Sequence, residues 1–149
     1  MQRNHTLLAS AGILFLLGVV EAAGAEMKTL KVVERAATDV VTDLGDKGDS
    51  VGDVLTFHNL VFDEKNENQI GTDQGWCIRT EVGKSWECFW TMILSDGQIT
   101  VEGPFYDAAD SVLAVTGGTG AYAAVSGEMT LHSRNAQGSE YDFGYTLVW

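Results

Sequence analysis

The stretch ITVEGPFYDAADSVLAVTGGTGAYAAVSG, residues 99–127, decides the fold class of this chain. It predicts three short β-strands in succession: residues 99–102, where apolar and polar residues alternate, the compact apolar run 111–116, and residues 121–125. The glycine-rich segment 117–120 predicts a hairpin turn between the last two strands. Short strands separated by glycine turns are typical of an antiparallel barrel or sandwich.

The same pattern continues on both sides of this stretch. Period-two alternation and turn signals predict five further strands, and residues 128–133 lengthen the strand that starts at residue 121. The further strands cover residues 28–34, 54–62, 69–82, 85–94 and 141–149. About eight strands suit a closed barrel whose interior holds side chains or one small ligand. The prediction is an all-β, eight-stranded antiparallel closed barrel that forms one domain over residues 26–149.

The first 25 residues have the composition of a secretory signal peptide. Arg3 lies near the start, residues 7–20 are apolar and uncharged, and Ala23-Gly24-Ala25 forms a small-residue cleavage pattern before Glu26. The apolar run is short for a membrane span, which makes an uncleaved anchor the weaker alternative. Residues 1–25 therefore predict export to the periplasm or the medium, with no membrane insertion after cleavage.

The mature chain is strongly acidic. The formal net charge is −12, and removal of residues 1–25 takes away one charge of each sign, Arg3 and Glu21, so the mature chain keeps this value. Such a surface repels the phosphates of nucleic acids, which excludes a nucleic-acid-binding function.

The two cysteines, Cys77 and Cys88, leave two interpretations open. A hairpin around Gly83-Lys84 places Arg79 opposite Cys88, with Cys77 on the diagonal of the same face. A register shift of one residue at the turn would bring the cysteines opposite each other, and export would permit a disulfide. The pattern favours the other interpretation, in which both are small buried hydrophobic residues.

Two polar residues are candidates for the interior of the barrel. In the strand 54–62, Phe57 and Asn59 share one face and His58 points the other way. An interior Asn59 requires hydrogen-bond partners or a ligand, although bonding to neighbouring backbone would also satisfy it. Glu34 ends an apolar strand. Inside the barrel its pKa would rise and it could serve as an acid or base, whereas at an exposed strand end it would be an ordinary carboxylate.

No pattern predicts a metal site or an organic cofactor. His58 and His132 lack the spacing of zinc ligands. The aspartates between residues 39 and 53 lack the glycine and closing glutamate of an EF-hand loop, and a solvated loop is the better interpretation.

The segments GPF, residues 103–105, and VLAVTGGTGAY, residues 112–122, closely resemble the corresponding part of allene oxide cyclases. These enzymes share a barrel superfamily with dirigent proteins and some bacterial cyclases. The resemblance covers nearly all of residues 30–149 and is strongest in residues 52–77 and 99–127. It implies the same closed barrel.

The resemblance also implies a set of site residues. In the family, a glutamate near the end of the first strand acts on an epoxide and on the developing cation, and Glu34 matches it. The family's F-x-N element matches Phe57 and Asn59, and its I-G-x-x-x-G-x-C segment brings Cys77 into the pocket. Its G-P-Y element is GPF here, so Phe105 keeps the ring and loses the hydroxyl. The implied catalytic residues are Glu34 and Asn59, and the implied substrate-binding residues are Phe57, Cys77 and Phe105.

The implied activity is that of a cofactor-free cyclase or isomerase. It folds and ring-closes an unsaturated hydrophobic substrate, such as a fatty-acid allene oxide, by confinement, with a carboxylate and aromatic faces stabilising the cation. The plant members form trimers, so a homo-oligomer is expected.

Two departures from the family pattern keep other functions open. The family has an asparagine two residues after the glutamate and then a Ser-Pro pair, which help to hold a water on the epoxide oxygen. Here the first position is Ala36 and no Ser-Pro occurs, which leaves Asn59 alone for that role. The alternatives are a non-catalytic exported barrel that binds a lipid-like or aromatic molecule, and a dirigent-type or cycloaddition cyclase.

Overall fold

The computed structural model describes residues 24–149, and this part of the chain consists of β-strands joined by turns. The expected signal peptide over residues 1–25 lies outside the described residues except for its last two. No helix in this region is long and apolar enough to cross a membrane. The strands are β1 (Met27–Arg35), β2 (Val40–Thr42), β3 (Val54–Asp63), β4 (Gln69–Glu81), β5 (Ser85–Leu94), β6 (Gly97–Tyr106), β7 (Ser111–Gly120), β8 (Ser126–Ser133) and β9 (Glu140–Val148).

Eight of these strands form a closed antiparallel barrel. The strands β3 to β9 pair in sequence order, and β1 closes the sheet because it pairs with β9 along its whole length and, through Val32–Arg35, with Leu60–Asp63 of β3. The short strand β2 pairs with Val54–Thr56 of β3, beyond the point where β1 ends. The predicted eight-stranded barrel is confirmed, and β2 is an addition that the sequence pattern did not reveal.

Alternation along the strands fills one half of the barrel with apolar side chains. In β9, Phe143, Tyr145 and Leu147 are buried, as the period-two pattern predicts. The filled half is the one where β1 begins, and it includes Met92, Ile99, Met129 and Leu147. The half where β1 ends contains a pocket.

The prediction of a turn at residues 117–120 and a strand at residues 121–125 is wrong. The strand β7 continues through Gly120, and residues 121–125 form the turn before β8. The glycines pair with residues 97–100 of β6. A Cβ atom on Gly118 would lie 2.5 Å from the backbone oxygen of Gln98, so this glycine permits a close approach of two strands and does not mark a turn.

The favoured interpretation of the cysteines is also wrong. Cys77 and Cys88 lie opposite each other on β4 and β5 and form a disulfide, and Arg79 faces Trp86 and not Cys88. The register differs from the predicted one because the connection comprises residues 82–84 and an irregularity follows Arg79.

Arg79 ties together the loops around the open end of the barrel. Its guanidinium lies 3.9 Å from the Trp86 ring centre, its Nε donates to Asp49 Oδ1 at 2.7 Å, and its Nη1 donates to both Asp107 oxygens at 2.8 Å. Because Asp49 precedes β3 and Asp107 follows β6, this buried cation on β4 links two connections. The loops that frame the pocket are therefore fixed to the barrel wall.

Candidate active site

The pocket lies inside the barrel at the end where β1 stops and β9 begins. We call it the inner pocket. Its cavity volume is about 40 Å³, well below the usual range of small-molecule sites, so the space is narrow. The side chains that line it most closely include the rings of Phe57, Trp90, Phe105, Tyr141 and Phe143, the Cys77–Cys88 disulfide, and the carboxyl groups of Glu34 and Asp39.

Four of the five residues predicted from the sequence line this pocket. They are Glu34, Phe57, Cys77 and Phe105. Cys77 contributes one half of a disulfide and not a thiol. Asn59 lies beside the pocket, 1% exposed, on the same side of β3 as Phe57, while His58 is exposed on the outside.

Asn59 fills the gap between the end of β1 and the start of β2. Its Oδ1 accepts hydrogen bonds from the backbone N–H groups of Ala37 and Thr38, each at 3.0 Å, and from the Thr38 hydroxyl. Its Nδ2 donates to Glu34 Oε1 at 2.8 Å and to Asp39 Oδ1 at 2.7 Å. Both N–H groups therefore hold carboxyl groups, and Asn59 presents no free donor to a substrate oxygen.

Glu34 forms a carboxyl pair with Asp73, which lies opposite Asn59 on β4. Asp73 is fully buried, and neither of its oxygens receives a hydrogen bond from an N–H group or a hydroxyl. A hydrogen bond between two carboxyl groups requires a proton on one of them. The Glu34–Asp73 pair thus needs a bound proton to be satisfied.

Burial favours the protonated form of Glu34. Burial raises the pKa of Glu34 well above its ordinary value, and the charge of Asp73 raises it further, while the hydrogen bond from Asn59 partly opposes this rise. Burial also raises the pKa of Asp73 to about 7, although the hydrogen bond with Glu34 lowers it. A neutral carboxyl that donates to a carboxylate is the consistent state of the pair.

Two further polar groups lie unpaired in the same interior. The Trp90 Nε1 and the Tyr145 hydroxyl are buried without a hydrogen-bond partner. Burial raises the pKa of Tyr145 well above its ordinary value, and Asp73 and Glu34 raise it further, so this hydroxyl stays neutral. Tyr141 is similar: burial, followed by the charges of Glu34 and Asp39, raises its pKa to about 12.

Sequence reasoning missed Asp39, Asp73, Trp90 and Tyr145. A signal existed for Asp73, because it lies four residues before Cys77 on the same strand and period two places both on one face. Tyr145 belongs to the alternating pattern of β9, which predicts a buried side chain but indicates no functional role. Asp39 lies in the link between β1 and β2, where no periodicity indicates a direction.

The fold and the pocket define a class of small closed antiparallel barrels with an interior cavity open at one end. A family model for allene oxide cyclase matches residues 23–135, about three quarters of the chain. The chain belongs to the allene oxide cyclase family.

Solved structures with a similar fold carry several activities. A pyocyanin demethylase is 27% identical with a TM-score of 0.71, covering 80% of this chain and 99% of that chain. A pterocarpan synthase dirigent protein is 16% identical with a TM-score of 0.64, covering 83% of this chain and 94% of that chain. A Diels Alderase from Streptomyces koyangensis is 13% identical with a TM-score of 0.64, covering 85% of this chain and 70% of that chain. The protein is therefore a cyclase-like barrel, and the last two similarities show the shared fold alone.

Proposed function

We propose that the protein is a cofactor-free isomerase or cyclase that acts on a conjugated hydrophobic molecule in the inner pocket. The observation that carries this proposal is the buried carboxyl of Glu34, which is 6% exposed and lies on the wall of an aromatic cavity, where burial raises its pKa. A carboxylic acid that stays neutral in an apolar site is a general acid available near neutral pH.

The reaction starts with proton transfer from Glu34 to a basic atom of the substrate, such as an epoxide or carbonyl oxygen. Positive charge then spreads over the conjugated system, and an electron pair forms the new ring bond or shifts the double bonds. A proton returns from the substrate to Glu34, which regenerates the enzyme. The product is an isomer of the substrate.

The surroundings of Glu34 suit the cationic stage of this sequence. The charge of Asp73 and the faces of Phe57 and Phe105 stabilise a delocalised cation. Asn59 acts as a positioning residue, because it holds the carboxyl groups of Glu34 and Asp39. The narrow space between aromatic rings orders the reacting atoms by confinement.

Similarity to the pyocyanin demethylase supports a second candidate function, which is removal of a methyl group from pyocyanin or a similar small molecule. Water is the co-reactant: the bond between nitrogen and the methyl carbon breaks, and the methyl group leaves as methanol. At 27% identity over 80% of the chain, this similarity reaches beyond the fold. The aromatic walls suit flat molecules: the ring centres of Trp90 lie 6.1 Å from Phe57 and 5.7 Å from Phe143. An isomerase product keeps the mass of the substrate, whereas a demethylated product is lighter by one CH₂ group.

We also propose that the mature chain works outside the cytoplasm. The Cys77–Cys88 disulfide supports this, since such bonds persist in oxidising compartments. A homo-oligomer remains a proposal from the family resemblance.

The experiment combines the purified protein with a freshly generated fatty-acid allene oxide, as its methyl ester, and analyses the cyclopentenone on a chiral column. Spontaneous closure gives a racemate. We expect enantiomeric excess with the native protein and with Glu128→Gln, a charge removed from the outer surface, and none with Glu34→Gln. Pyocyanin is treated in parallel and analysed by mass spectrometry.

Racemic product at the background rate would overturn the proposed cyclisation. A lighter product from pyocyanin would then establish the second candidate function. Binding of both compounds without conversion, with equal tryptophan quenching in the native protein and Glu34→Gln, would identify a container that is not an enzyme.

A further inference from the structure

The walls of the inner pocket carry negative charge without a compensating cation. The carboxyl groups of Glu34 and Asp73 are buried in the barrel interior, and the carboxylate of Asp39 lines the pocket from a solvent-exposed position. Among the described residues, no lysine or arginine lines this pocket.

A second cavity continues the inner pocket toward solvent. We call it the outer groove, and it lies between residues 105–110 and residues 131–138. Phe105, Leu131 and Tyr141 line both spaces, so the two are adjacent. The outer groove has a cavity volume of about 360 Å³, which is room for the part of a substrate that the narrow inner pocket cannot hold.

The outer groove does not supply the missing cation either. Its walls contain the carboxylates of Asp107 and Asp110. Its one basic side chain among the described residues is His132, whose Nδ1 lies 2.7 Å from Asp110 Oδ1, so any positive charge on the ring is already compensated.

The arginines of the described region are also engaged with carboxylates. Arg79 binds Asp49 and Asp107. Arg134 contacts Asp142 at 2.9 Å, and Arg35 lies 3.9 Å from Glu140. A substrate carboxylate would therefore have to displace an existing partner to find a cation near the pocket.

From these charges we infer that the substrate is neutral or positively charged, and that the inner pocket rejects molecules with a free carboxylate. The inference rests on the proposed function, because it concerns the substrate of the same pocket. A carboxylate would lose water beside the buried Glu34–Asp73 pair and would also meet the negative charge of Asp39, which solvent partly screens. A delocalised cation would gain both carboxylates and the aromatic faces of Phe57 and Phe105.

The test uses three flat two-ring probes of similar size that differ in charge: N-methylquinolinium, 2-naphthamide and 2-naphthoate. Binding to the purified protein is followed at about pH 7.5 by quenching of tryptophan fluorescence, because Trp90 lines the inner pocket. We expect the cation to bind about tenfold or more tightly than the carboxylate, with the amide between them.

Two matched variants locate the source of this selectivity. Asp39→Asn removes a charge from the pocket wall and should reduce the preference for the cation several-fold. Glu128→Gln removes a charge from the outside of the barrel and should leave the preference unchanged, which controls for the overall net charge.

Equal or tighter binding of 2-naphthoate would overturn the inference, as would equal effects of the two variants. Since this readout needs no turnover, the inference can fail while the isomerase activity is retained. The absence of binding by all three probes would overturn the proposed choice of flat substrates and the inference with it.

Discussion

Asp73→Asn should make the protein more stable at alkaline pH and change its stability little at acid pH. Burial raises the pKa of Asp73 from 3.8 to about 7. A carboxyl group whose pKa is raised by folding destabilises the folded state when it ionises. The stability that its protonated form provides is fully present below the pKa of the unfolded state, and it is lost as the pH rises through the pKa of the folded state. The isosteric amide cannot ionise and avoids that loss.

The size of the effect follows from the pKa change. At 1.36 kcal/mol for each pKa unit, the rise from 3.8 to about 7 corresponds to roughly 4 kcal/mol. Loss of the hydrogen bond with Glu34 subtracts ~1–2 kcal/mol from this gain. We therefore expect the free energy of unfolding of Asp73→Asn to exceed that of the native protein by ~2–3 kcal/mol at about pH 8. Near pH 4 the variant should be equally stable or slightly less stable.

The assay is urea unfolding of the disulfide-intact protein, followed by tryptophan fluorescence at several pH values between about 4 and 8. Glu128→Gln is the matched control, because Glu128 is exposed on the outside of the barrel. Its difference from the native protein should not change with pH in this way. A difference for Asp73→Asn that is constant across the pH range would refute the carboxyl pair.

Two further perturbations test the surroundings of the pair. Asn59→Ala leaves the backbone N–H groups of Ala37 and Thr38 without their acceptor. It should therefore lower the free energy of unfolding by ~2–4 kcal/mol. A loss below ~0.5 kcal/mol in urea titration would contradict the role of the Asn59 amide in joining β1 and β2. Replacing both cysteines by alanine removes a cross-link that spans 11 residues, and should cost ~2–4 kcal/mol in the same titration. An unchanged denaturation midpoint would show that the cross-link contributes nothing to stability, and reduction of the native protein is the parallel measurement.

The departures from the family pattern have a structural counterpart. At the position of the family's asparagine, Ala36 offers only backbone, and its N–H donates to the Ser139 carbonyl at 3.0 Å. Three residues later, the side chain of Asp39 lines the pocket and accepts a hydrogen bond from the Nδ2 group of Asn59. The carboxylate of Asp39 therefore accepts a hydrogen bond from the Asn59 side-chain amide, which in the family helps to hold a water on the epoxide oxygen. This change agrees with a substrate of different charge from a fatty acid.

The amino-acid sequence by itself determined the strands and the direction of their side chains. Alternation of period two is a local property, since each residue points opposite to its neighbours whatever the partner strand. For this reason the barrel class and the shared side of Phe57 and Asn59 were predictable. The burial of Glu34 was not, because Val32, Val33 and Glu34 are buried in succession and do not alternate.

Only the tertiary structure decided which residues meet. The disulfide depends on the register between β4 and β5, which a single irregularity after Arg79 changes. The glycines at 117–120 lie in a strand because β6 extends far enough to pair with them. The pairing of Glu34 with Asp73 joins strands distant in sequence, and its raised pKa values exist only after the barrel closes and removes water from both carboxyl groups.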